Sequence, residues 1–566
     1  MENDIPLSEY PRPSLVRDSF YCLNGEWDIE ISKNNVIPSR FTKTITVPYT
    51  IETDEYINHI LQPDEFLLYK KIIKIPEFTT EEKLIIHFGA VDQIAKVYIN
   101  GNLRKEHVGG FLPFEVDVEK WTEQIEIVVV VQDLTDTSYH SRGKQKLDYK
   151  QIWYKPQSGI YMPVWAEIVP LNYIKNIKID TDFDAHELKI TPYTPVNETL
   201  KLVLGGKEYD IYSNCENIIK IDDFHPWSPE NPYLYDFSLI YGKDKVKSYF
   251  AFRKIETRND KNGIKRVFLN NKPVFLSGLL DQGYYEKTML TPRSDEDYIN
   301  DIKFAKELGY NFLRKHIKIE SDRFYYYCDK LGMLVMQDFV NGGTSYKFFV
   351  ISAPLFLHNK RDDRTKHNQR MLGRDSIEGQ QEFIEEAKEI VNLLRNHPSI
   401  FAWTIFNEAW GQFDSIKLTE IVKNLDSSRL IDTNSGWYDQ NVGDFRSNHV
   451  YFVKYKLPKK NTIKNRVISL SECGGYNLKI EGHSPDINFG YKSMQDSNQL
   501  TKAIENLYEN EIIPNISKGL SMVVFTQLSD VETELNGLIT YDRKVVKVDK
   551  KRIQQINMKC FEALKD

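Results

Sequence analysis

The sequence predicts a multidomain fold of β plus α/β type, with two β-sandwiches followed by a (β/α)8 barrel. The chain has 566 residues, which is too long for one ordinary hydrophobic core. Up to Phe252, short segments alternate apolar and polar residues between turns, without helical periodicity. After Lys254, apolar strands alternate with amphipathic helices, which is typical of βα units.

Residues 1–171 are predicted to form the first sandwich. Lys83 to Phe88 and Ala95 to Ile99 have strand character, and Asn100-Gly101 suits the positive φ angles of a tight hairpin turn. Residues 172–253 contain further short strands between turns. Their number and size suit one immunoglobulin-like sandwich.

Residues 254–566 are predicted to form the barrel. Ser294 and Asp295 can cap a helix with one apolar face, which Gly309 ends before the next strand. Eight candidate strands match a (β/α)8 barrel with insertions. They are Val274 to Gly278, Asn311 to His316, Leu334 to Asp338, Ile400 to Asn407, Leu430 to Ser435, Ser447 to Tyr451, Val467 to Glu472 and Met522 to Thr526.

Two carboxylates end strands of this predicted barrel. Glu408 follows the fourth strand, which is apolar almost throughout, and Glu472 ends the seventh, so both should lie at the same barrel face. Without a second carboxylate, the simpler interpretation of Glu408 is that it caps a loop or forms a salt bridge there. A pair suits glycosidic bond cleavage: a retaining enzyme needs the carboxyl groups about 5 Å apart and an inverting one roughly 6.5–9.5 Å. The sequence leaves this separation open.

Several motifs, in the same order along nearly the whole chain, resemble family 2 of the glycoside hydrolases. They include Leu23-Asn-Gly-Glu-Trp27, Tyr98-Ile-Asn-Gly101, Gly109-Gly-Phe-Leu-Pro-Phe114, Ser158-Gly-Ile-Tyr-Met-Pro-Val-Trp165, Pro226 to Tyr235, Asn407-Glu408 and Ser471-Glu472.

The resemblance implies a sugar-binding-like jelly-roll β-sandwich, an immunoglobulin-like β-sandwich and a catalytic TIM barrel. It also implies a retaining, exo-acting β-glycosidase with Glu408 as acid/base and Glu472 as nucleophile. Asn407 would contact the 2-hydroxyl of the sugar, an interaction that strengthens in the transition state.

Other residues at strand ends are candidate substrate contacts. Arg314 and His316 resemble the Arg-containing second strand of the family, where Arg orients the nucleophile. The alternative is that Arg314 is only an internal ion-pair partner. His449 and Tyr451, at strand six, are candidates to bind the sugar or the nucleophile, although a lone His on a strand is commonly structural.

Trp410 and Trp437 are candidate sugar platforms, against the alternative of ordinary barrel packing. Phe525, in strand eight, stands where many relatives have Trp. Asp281 follows strand one, where many relatives carry a His-containing motif that this chain lacks. Asp338 could hydrogen-bond a sugar hydroxyl, with stabilisation of a loop as the favoured alternative.

The sugar is set by few contacts, so specificity stays open. Relatives that cut β-glucuronides have an Asn-x-Lys motif that residues 532–544 lack, and Glu532 and Glu534 would repel an anionic sugar if they face the pocket. We therefore expect a neutral sugar, with a β-galactosidase-like activity first. The alternatives are a β-glucuronidase, β-mannosidase, β-glucosidase or α-L-arabinosidase, or a non-catalytic carbohydrate-binding protein.

The resemblance implies an oligosaccharide, polysaccharide or glycoside as the partner, and the composition argues against other classes of partner. The net charge is −7, with Lys and Arg spread along the chain, which argues against nucleic acid. No apolar stretch is long enough to span a membrane. The five scattered cysteines and the absence of a secretory signal favour a cytoplasmic protein, although a chain whose signal had been removed would look the same.

No metal-ligand spacing stands out, and the double displacement requires no cofactor. The resemblance allows a divalent cation without indicating its ligands, and it allows a homo-oligomer. Residues 339–374 are too long for a simple barrel loop and are rich in Lys and Arg. A solvated basic face is the simplest interpretation. The alternative hypothesis is that Phe348 to Ile351 shape a substrate or subunit edge.

Overall fold

The computed structural model describes residues 5–53, 56–77, 79–347, 349–350, 354, 361–486, 489 and 492–564. These residues form two antiparallel sandwiches and an eight-stranded parallel sheet that is the wall of a barrel. The predicted fold class is therefore confirmed. Each sandwich has its own apolar core, and the barrel has one apolar cluster inside it and a larger one under its helices.

The N-terminal sandwich packs a four-stranded sheet against a six-stranded sheet, with strand orders β1-β12-β5-β9 and β3-β2-β4-β10-β7-β8. Asn100 and Gly101 have φ angles of 49° and 76°, so the predicted hairpin turn joins β7 to β8. The strands are β1 (Tyr21–Cys22), β2 (Gly25–Ser32), β3 (Lys43–Val47), β4 (Phe66–Lys74), β5 (Glu82–Phe88), β6 (Val91–Asp92), β7 (Ile94–Ile99), β8 (Asn102–Val108), β9 (Phe114–Val118), β10 (Gln124–Gln132), β11 (Gly159–Ile160) and β12 (Val164–Pro170).

The second sandwich packs a three-stranded sheet, β13-β14-β17, on a four-stranded sheet, β16-β15-β18-β19. Apolar residues alternate with polar ones along these strands, so each sheet buries one face. The strands are β13 (Asn176–Asp182), β14 (Glu187–Tyr193), β15 (Thr199–Leu204), β16 (Lys207–Tyr212), β17 (Asn217–Lys220), β18 (Tyr235–Tyr241) and β19 (Asp244–Phe250).

A small antiparallel sheet then covers the floor of the barrel. Its Val267 and Leu269 pack with Trp227 of the second sandwich against residues inside the barrel, such as Phe312. Because this end is closed by apolar packing, only the carboxyl ends of the barrel strands are open for chemistry. The strands are β20 (Ile255–Asn259), β21 (Lys265–Leu269) and β22 (Lys272–Pro273).

The barrel strands are parallel and run in the order β27-β26-β25-β24-β23-β32-β29-β28, with β27 beside β28. They are β23 (Leu276–Asp281), β24 (Phe312–Lys315), β25 (Leu334–Asp338), β26 (Ile400–Asn407), β27 (Leu430–Ser435), β28 (Phe445–Val450), β29 (Val467–Gly474) and β32 (Leu520–Thr526). The short strands β30 (Tyr476–Asn477) and β31 (Lys492–Ser493) pair outside the barrel. All eight predicted barrel strands are present, three of them with the predicted bounds.

The described helices pack around the barrel. In α1 the side chains of Tyr298, Ile302 and Ala305 are buried, as the apolar face predicted. The helices are α1 (Asp295–Glu307), α2 (Asp322–Leu331), α3 (Lys366–Met371), α4 (Ile377–Leu394), α5 (Ser415–Leu425), α6 (Lys460–Ile463), α7 (Ser497–Leu507), α8 (Ile513–Ile516) and α9 (Lys550–Ala563). In the part of the chain that the structure describes, no helix is long and apolar enough to cross a membrane.

Candidate active site

Glu408 directly follows β26 and has a left-handed backbone, with φ of 47°, as has Ala409 with φ of 63°. This conformation costs a non-glycine residue about 1–2 kcal/mol. It is held by hydrogen bonds from the Glu408 amide to the Ser435 carbonyl and from the Trp410 amide to the Asn407 carbonyl, both 2.9 Å. The turn aims the Glu408 carboxyl group into the mouth of the barrel, where strained backbone commonly accompanies function.

Glu472, near the end of β29, lies next to Glu408. One carboxylate oxygen of each residue and a ring nitrogen of His449 all lie within 4.8 Å of one another. Arg314 donates to Glu472 over 2.9 Å, and the Tyr451 hydroxyl donates to its other oxygen. An oxygen–oxygen approach within 4.8 Å is compatible with the spacing of roughly 5 Å that a double displacement uses.

The surroundings of the two carboxyl groups favour different protonation states. Burial raises the pKa of Glu408 to about 7, with Lys144 and Arg314 opposing the rise and Glu534 adding to it. Burial also raises the pKa of Glu472, but the Arg314 guanidinium and the hydrogen bond from Tyr451 stabilise its ionised form. Glu408 is thus suited to hold a proton near neutral pH, while Glu472 has the partners of a carboxylate.

His449 connects Glu408 to a chain of hydroxyl groups. Its Nδ1 is 2.8 Å from Glu408, its Nε2 is 3.0 Å from the Ser435 hydroxyl, and that hydroxyl donates to Ser471 over 2.8 Å. Burial lowers the pKa of His449 to about 4, so the ring is neutral near pH 7. With the Ser435 proton directed to Ser471, we assign the ring proton to Nε2. Nδ1 then accepts the proton of Glu408.

Arg314 joins the remaining polar residues of the site. It donates to both oxygens of Asp338, each over 3.0 Å, to Glu472 and, over 2.8 Å, to Asn407. Asp338 also contacts His316 Nδ1 at 2.9 Å. Both Asp338 oxygens are therefore engaged in holding Arg314 and His316. The Asn407 Nδ2 group is buried and has no partner among the described residues.

The two tryptophans take different positions. Trp437 lies beside the ring of His449, with ring centroids 5.4 Å apart, and its buried Nε1 has no partner among the described residues. Trp410 is almost completely buried and packs against Tyr346 and Trp153. Trp437 therefore adjoins the histidine that contacts Glu408, whereas Trp410 packs between the barrel and Trp153 of the N-terminal sandwich.

Two predicted substrate contacts, Asp281 and Phe525, face away from the site, contrary to the prediction. Asp281 forms a 2.7 Å ion pair with Lys315 on the helix side of the barrel wall. Phe525 is completely buried in the apolar cluster under the helices, beside Tyr476. Side chains alternate along a strand, so it is the next residue of β32, Thr526, whose hydroxyl lies 3.1 Å from that of Tyr451 inside the mouth.

Lys144 reaches the site from the N-terminal sandwich. Its Nζ lies 3.5 Å from Glu534, which follows β32, and 3.2 Å from the hydroxyl of Tyr154. Lys144 also has the strongest effect of any charged group on the pKa of Glu408. Sequence reasoning missed it because it belongs to a different domain. The only local signal was a charged Arg142-Gly-Lys144 triplet in a segment without strand pattern.

The long segment after β25 also borders the site. Val350 is buried, and its carbonyl accepts a 2.6 Å hydrogen bond from Tyr438, next to Trp437. Phe348 and Ile351, which belong to the apolar edge hypothesised from the sequence, lie outside the described residues. The hypothesis that this edge borders a substrate therefore stays a prediction.

Family models match most of the chain. "Glycosyl hydrolases family 2, sugar binding domain" matches residues 12–166, "Glycosyl hydrolases family 2" matches 172–253, and "Glycosyl hydrolases family 2, TIM barrel domain" matches 261–502.

Curated relatives carry two different activities in their names. The chain is 24% identical over 463 residues to a β-glucuronidase of Streptococcus agalactiae, a match that covers 74% of this chain and 72% of the relative. It is 26% identical over 442 residues to a β-galactosidase of Thermoanaerobacter pseudethanolicus, covering 72% of this chain and 53% of the relative. The chain thus spans about half the length of this galactosidase.

Solved structures share the whole fold at low identity. A β-glucuronidase from Dictyoglomus thermophilum superposes with a TM-score of 0.75 at 18% identity, covering 97% of this chain and 98% of that chain. A β-galacturonidase from Eisenbergiella tayi, bound to galacturonate, superposes with a TM-score of 0.72 at 16% identity, covering 97% and 99%.

Proposed function

The chain belongs to family 2 of the glycoside hydrolases, and we propose that it is a retaining, exo-acting enzyme for terminal neutral β-pyranosides, with β-galactosides first. The observation that carries the proposal is the pair of carboxyl groups of the half-buried Glu408 and the buried Glu472, which have oxygens within 4.8 Å of each other. Because their partners differ, we assign the acid/base role to Glu408 and the role of nucleophile to Glu472.

In the first step, the Glu472 carboxylate attacks the anomeric carbon while Glu408 gives its proton to the departing oxygen. The sugar is then held as an ester of Glu472. In the second step, Glu408 takes a proton from water as that water attacks the anomeric carbon, which releases the sugar and restores the Glu472 carboxylate. Arg314 and Tyr451 hold Glu472 in place for both steps.

Asn407 is proposed to bind the 2-hydroxyl of the sugar. Its side-chain oxygen accepts from Arg314, so the amide orientation is set, and its Nδ2 group is a buried donor without a partner among the described residues. A sugar hydroxyl would satisfy this donor. An unsatisfied buried donor costs about 1–3 kcal/mol, so its pairing with substrate would favour binding and catalysis.

The charge of the site supports a neutral sugar. Glu408, Glu472, Asp338 and Glu534 surround the mouth, and the buried cations among them, Arg314 and Lys144, are already paired with carboxylates. A uronic acid would bring a further negative charge into this low-dielectric region. Galactose leads among neutral sugars because relatives include galactosidases.

A β-glucuronidase is the second candidate. The observation that favours it is Lys144, a buried cation at the mouth that could pair with a sugar carboxylate. The name of the streptococcal relative agrees with it. For that role the carboxylate would have to compete with Glu534, which lies 3.5 Å from the Lys144 ammonium group.

The catalytic roles are tested by Glu472→Gln and Glu408→Gln, with the exposed Glu420→Gln as a matched control. Hydrolysis of a nitrophenyl glycoside should fall by more than about 10⁴-fold for the nucleophile variant and by about 10²–10⁴-fold for the acid/base variant. Sodium azide should restore turnover of Glu408→Ala, because azide needs no general base. Wild-type rates in either glutamine variant would refute the assignment.

The sugar is tested with nitrophenyl β-galactoside, β-glucoside, β-glucuronide, β-mannoside and α-arabinoside. We expect the highest kcat/KM on the β-galactoside, and NMR should detect the β-anomer of the released sugar first. A kcat/KM on the β-glucuronide above that on every neutral substrate would replace the first candidate with the second.

A further inference from the structure

A loop of the N-terminal sandwich is fixed over the open end of the barrel. The amides of Arg142 and Gly143 donate to the Asn341 carbonyl over 2.9 and 3.0 Å, and Ser141 forms a bridge with Gly342. Asn341 lies three residues beyond the carboxyl end of β25. The next residue of the loop, Lys144, is therefore held at the active-site mouth by backbone contacts that do not depend on its own side chain.

Lys144 and Glu534 form a charged pair with unused hydrogen-bonding capacity. The Lys144 ammonium group has three protons and two neighbouring acceptors, Glu534 Oε2 at 3.5 Å and the Tyr154 hydroxyl at 3.2 Å. The Tyr154 hydroxyl itself donates to Glu534 Oε2. Glu534 Oε1 accepts no hydrogen bond from any described residue, although Glu534 is only 2% exposed. The pair thus keeps one donor and one acceptor.

The pair lies within electrostatic reach of the reacting groups. Lys144 lowers and Glu534 raises the pKa of Glu408, and Lys144 also contributes to lowering the pKa of His316. The ionisable groups that face the pair or Glu408 come from several elements. They are Tyr154 of the same loop, Arg314 on β24, His316 after β24, His449 on β28, Glu472 on β29 and Glu532 in the loop after β32.

We propose that Lys144 and Glu534 are specificity-determining residues that together bind one hydroxyl group of the sugar. The ammonium group donates to the hydroxyl oxygen, and the carboxylate accepts the hydroxyl proton, so a single hydroxyl uses both spare positions. Because the pair is neutral overall, it favours a hydroxyl over a carboxylate, which would have to displace Glu534. This inference rests on the proposed function and identifies how one domain completes the site of another.

The first test compares Lys144→Met, Glu534→Gln and Lys146→Met. Lys146 is the matched control, because it comes from the same loop and also lies over an aromatic ring, that of Trp153 at 4.1 Å, but has no contact with Glu534 among those described. On nitrophenyl β-galactoside, kcat/KM should fall about 10–100-fold in each of the first two variants and stay within about twofold in the control.

Substrate analogues locate the hydroxyl group. Galactosides that lack one of the 3-, 4- or 6-hydroxyls should react more slowly with the wild type, and on one of them Lys144→Met should cost no further activity. The double variant Lys144→Met/Glu534→Gln should lose about as much as either single variant, because the two residues act on one group. If both single variants keep the wild-type kcat/KM while Glu472→Gln is inactive, then Lys144 and Glu534 do not bind the sugar hydroxyl. The proposed function would remain.

The pH profile separates a role at the site from a merely structural one. The alkaline limb of kcat/KM should move to higher pH in Lys144→Met and to lower pH in Glu534→Gln, since the lost charges have opposite signs. Thermal unfolding identifies a folding defect, and Lys144→Arg, which keeps the charge, should then recover most of the activity. Opposite shifts would not arise from a general loss of packing, and unchanged limbs in both variants would overturn the proposal.

The last test measures kcat/KM on the β-glucuronide. If Lys144 instead holds a sugar carboxylate, Glu534→Gln should raise kcat/KM on the glucuronide, because it removes the competing carboxylate. That result would overturn hydroxyl recognition. A wild-type enzyme without turnover on any neutral glycoside would overturn the proposed sugar class and this inference together.

Discussion

The contact of the immunoglobulin-like sandwich around Asp329 and the contact of the 141–144 loop of the N-terminal sandwich lie at opposite ends of the barrel strands, and they differ in chemistry. At the amino-terminal ends, Tyr249 of the immunoglobulin-like sandwich donates over 2.8 Å to Asp329, which also contacts His397 at 2.7 Å. The other ring nitrogen of His397 lies 2.6 Å from Asp322, whose second oxygen accepts from Ser14. Every polar side-chain atom of the histidine and the two aspartates has a protein partner there.

At the carboxyl-terminal ends, the N-terminal sandwich leaves polar atoms without protein partners. The buried Arg142 Nη2, Asn341 Nδ2, Gln282 Oε1 and Asn407 Nδ2 atoms have none among the described residues. Such atoms are rare in folded proteins and each requires an explanation. The difference between the His397 cluster and the mouth indicates that the fully paired His397 cluster stabilises the fold, whereas the unpaired atoms at the mouth are open to a substrate that supplies their partners.

The largest expected effect is a loss of stability when the fully paired contact around His397 is broken. His397→Gln leaves Asp322 and Asp329 without their cation and should lower the free energy of unfolding by about 3–5 kcal/mol. The kcat/KM of the folded enzyme should stay unchanged. Chemical denaturation measures the loss, and His225→Gln, at an exposed pair with Asp223, is the control and should cost less than about 0.5 kcal/mol.

The same contact makes stability depend on pH. Burial alone would lower the pKa of His397, but Asp322 and Asp329 raise it from 6.5 to about 10. The protonated ring therefore stabilises the fold fully below about pH 6.5, and this contribution is lost as the pH rises towards 10. Variant and wild type should converge in stability at high pH. A constant difference between pH 6 and 10 would contradict the assigned charge.

At the mouth, Asn407→Ala should lower kcat/KM on an aryl β-galactoside by about 10²-fold with little change in stability. The loss should disappear on the 2-deoxy substrate, which lacks the hydroxyl group that Asn407 is proposed to bind. Asn434→Ala is the control, because that side chain donates to Ser415 instead. It should lose stability and keep its activity. Equal losses on both substrates would place Asn407 away from the 2-hydroxyl.

The sequence predicted those features that depend on local pattern. The strand Ile400–Asn407 was predicted with its bounds because it is apolar on both faces, which fits a wall covered inside and outside. Glu408 and Glu472 could be identified because each follows or ends such a strand. The side chains of Asp281 and Phe525 were predicted on the wrong side of the barrel wall. Side chains alternate in direction along a strand, so an error of one residue places a side chain under the helices instead of in the mouth.

Contacts between domains could not be predicted in this way. Lys144 meets Glu534 only because the sandwich loop folds over the barrel, and neither residue carries a local signal of the other. The same is true of Ser435 and His449, which come from different strands and meet through the closure of the barrel between β27 and β28. Through-space pairs of this kind depend on tertiary packing rather than on periodicity.

The smallest effect is expected for Ser435→Ala, which should move the alkaline limb of kcat/KM without a large loss of maximal rate. Without Ser435, the Nε2 proton of His449 loses its acceptor, so the tautomer with its proton on Nδ1 becomes competitive. That Nδ1–H group would donate to ionised Glu408 and favour the ionised form, which lowers the pKa of the acid from about 7.

A hydrogen bond of about 0.5–1.5 kcal/mol corresponds to a shift of roughly 0.5–1 pH unit. Ser447→Ala is the matched control, because Ser447 lies on the neighbouring strand but donates to Asp432 over 2.6 Å. An alkaline limb that stays in place in Ser435→Ala, or moves equally in the control, would mean that the hydroxyl chain does not determine the histidine tautomer. Glu408 would then hold its proton through burial alone, and the hydroxyl chain behind His449 would be a stabilising contact like the one around His397.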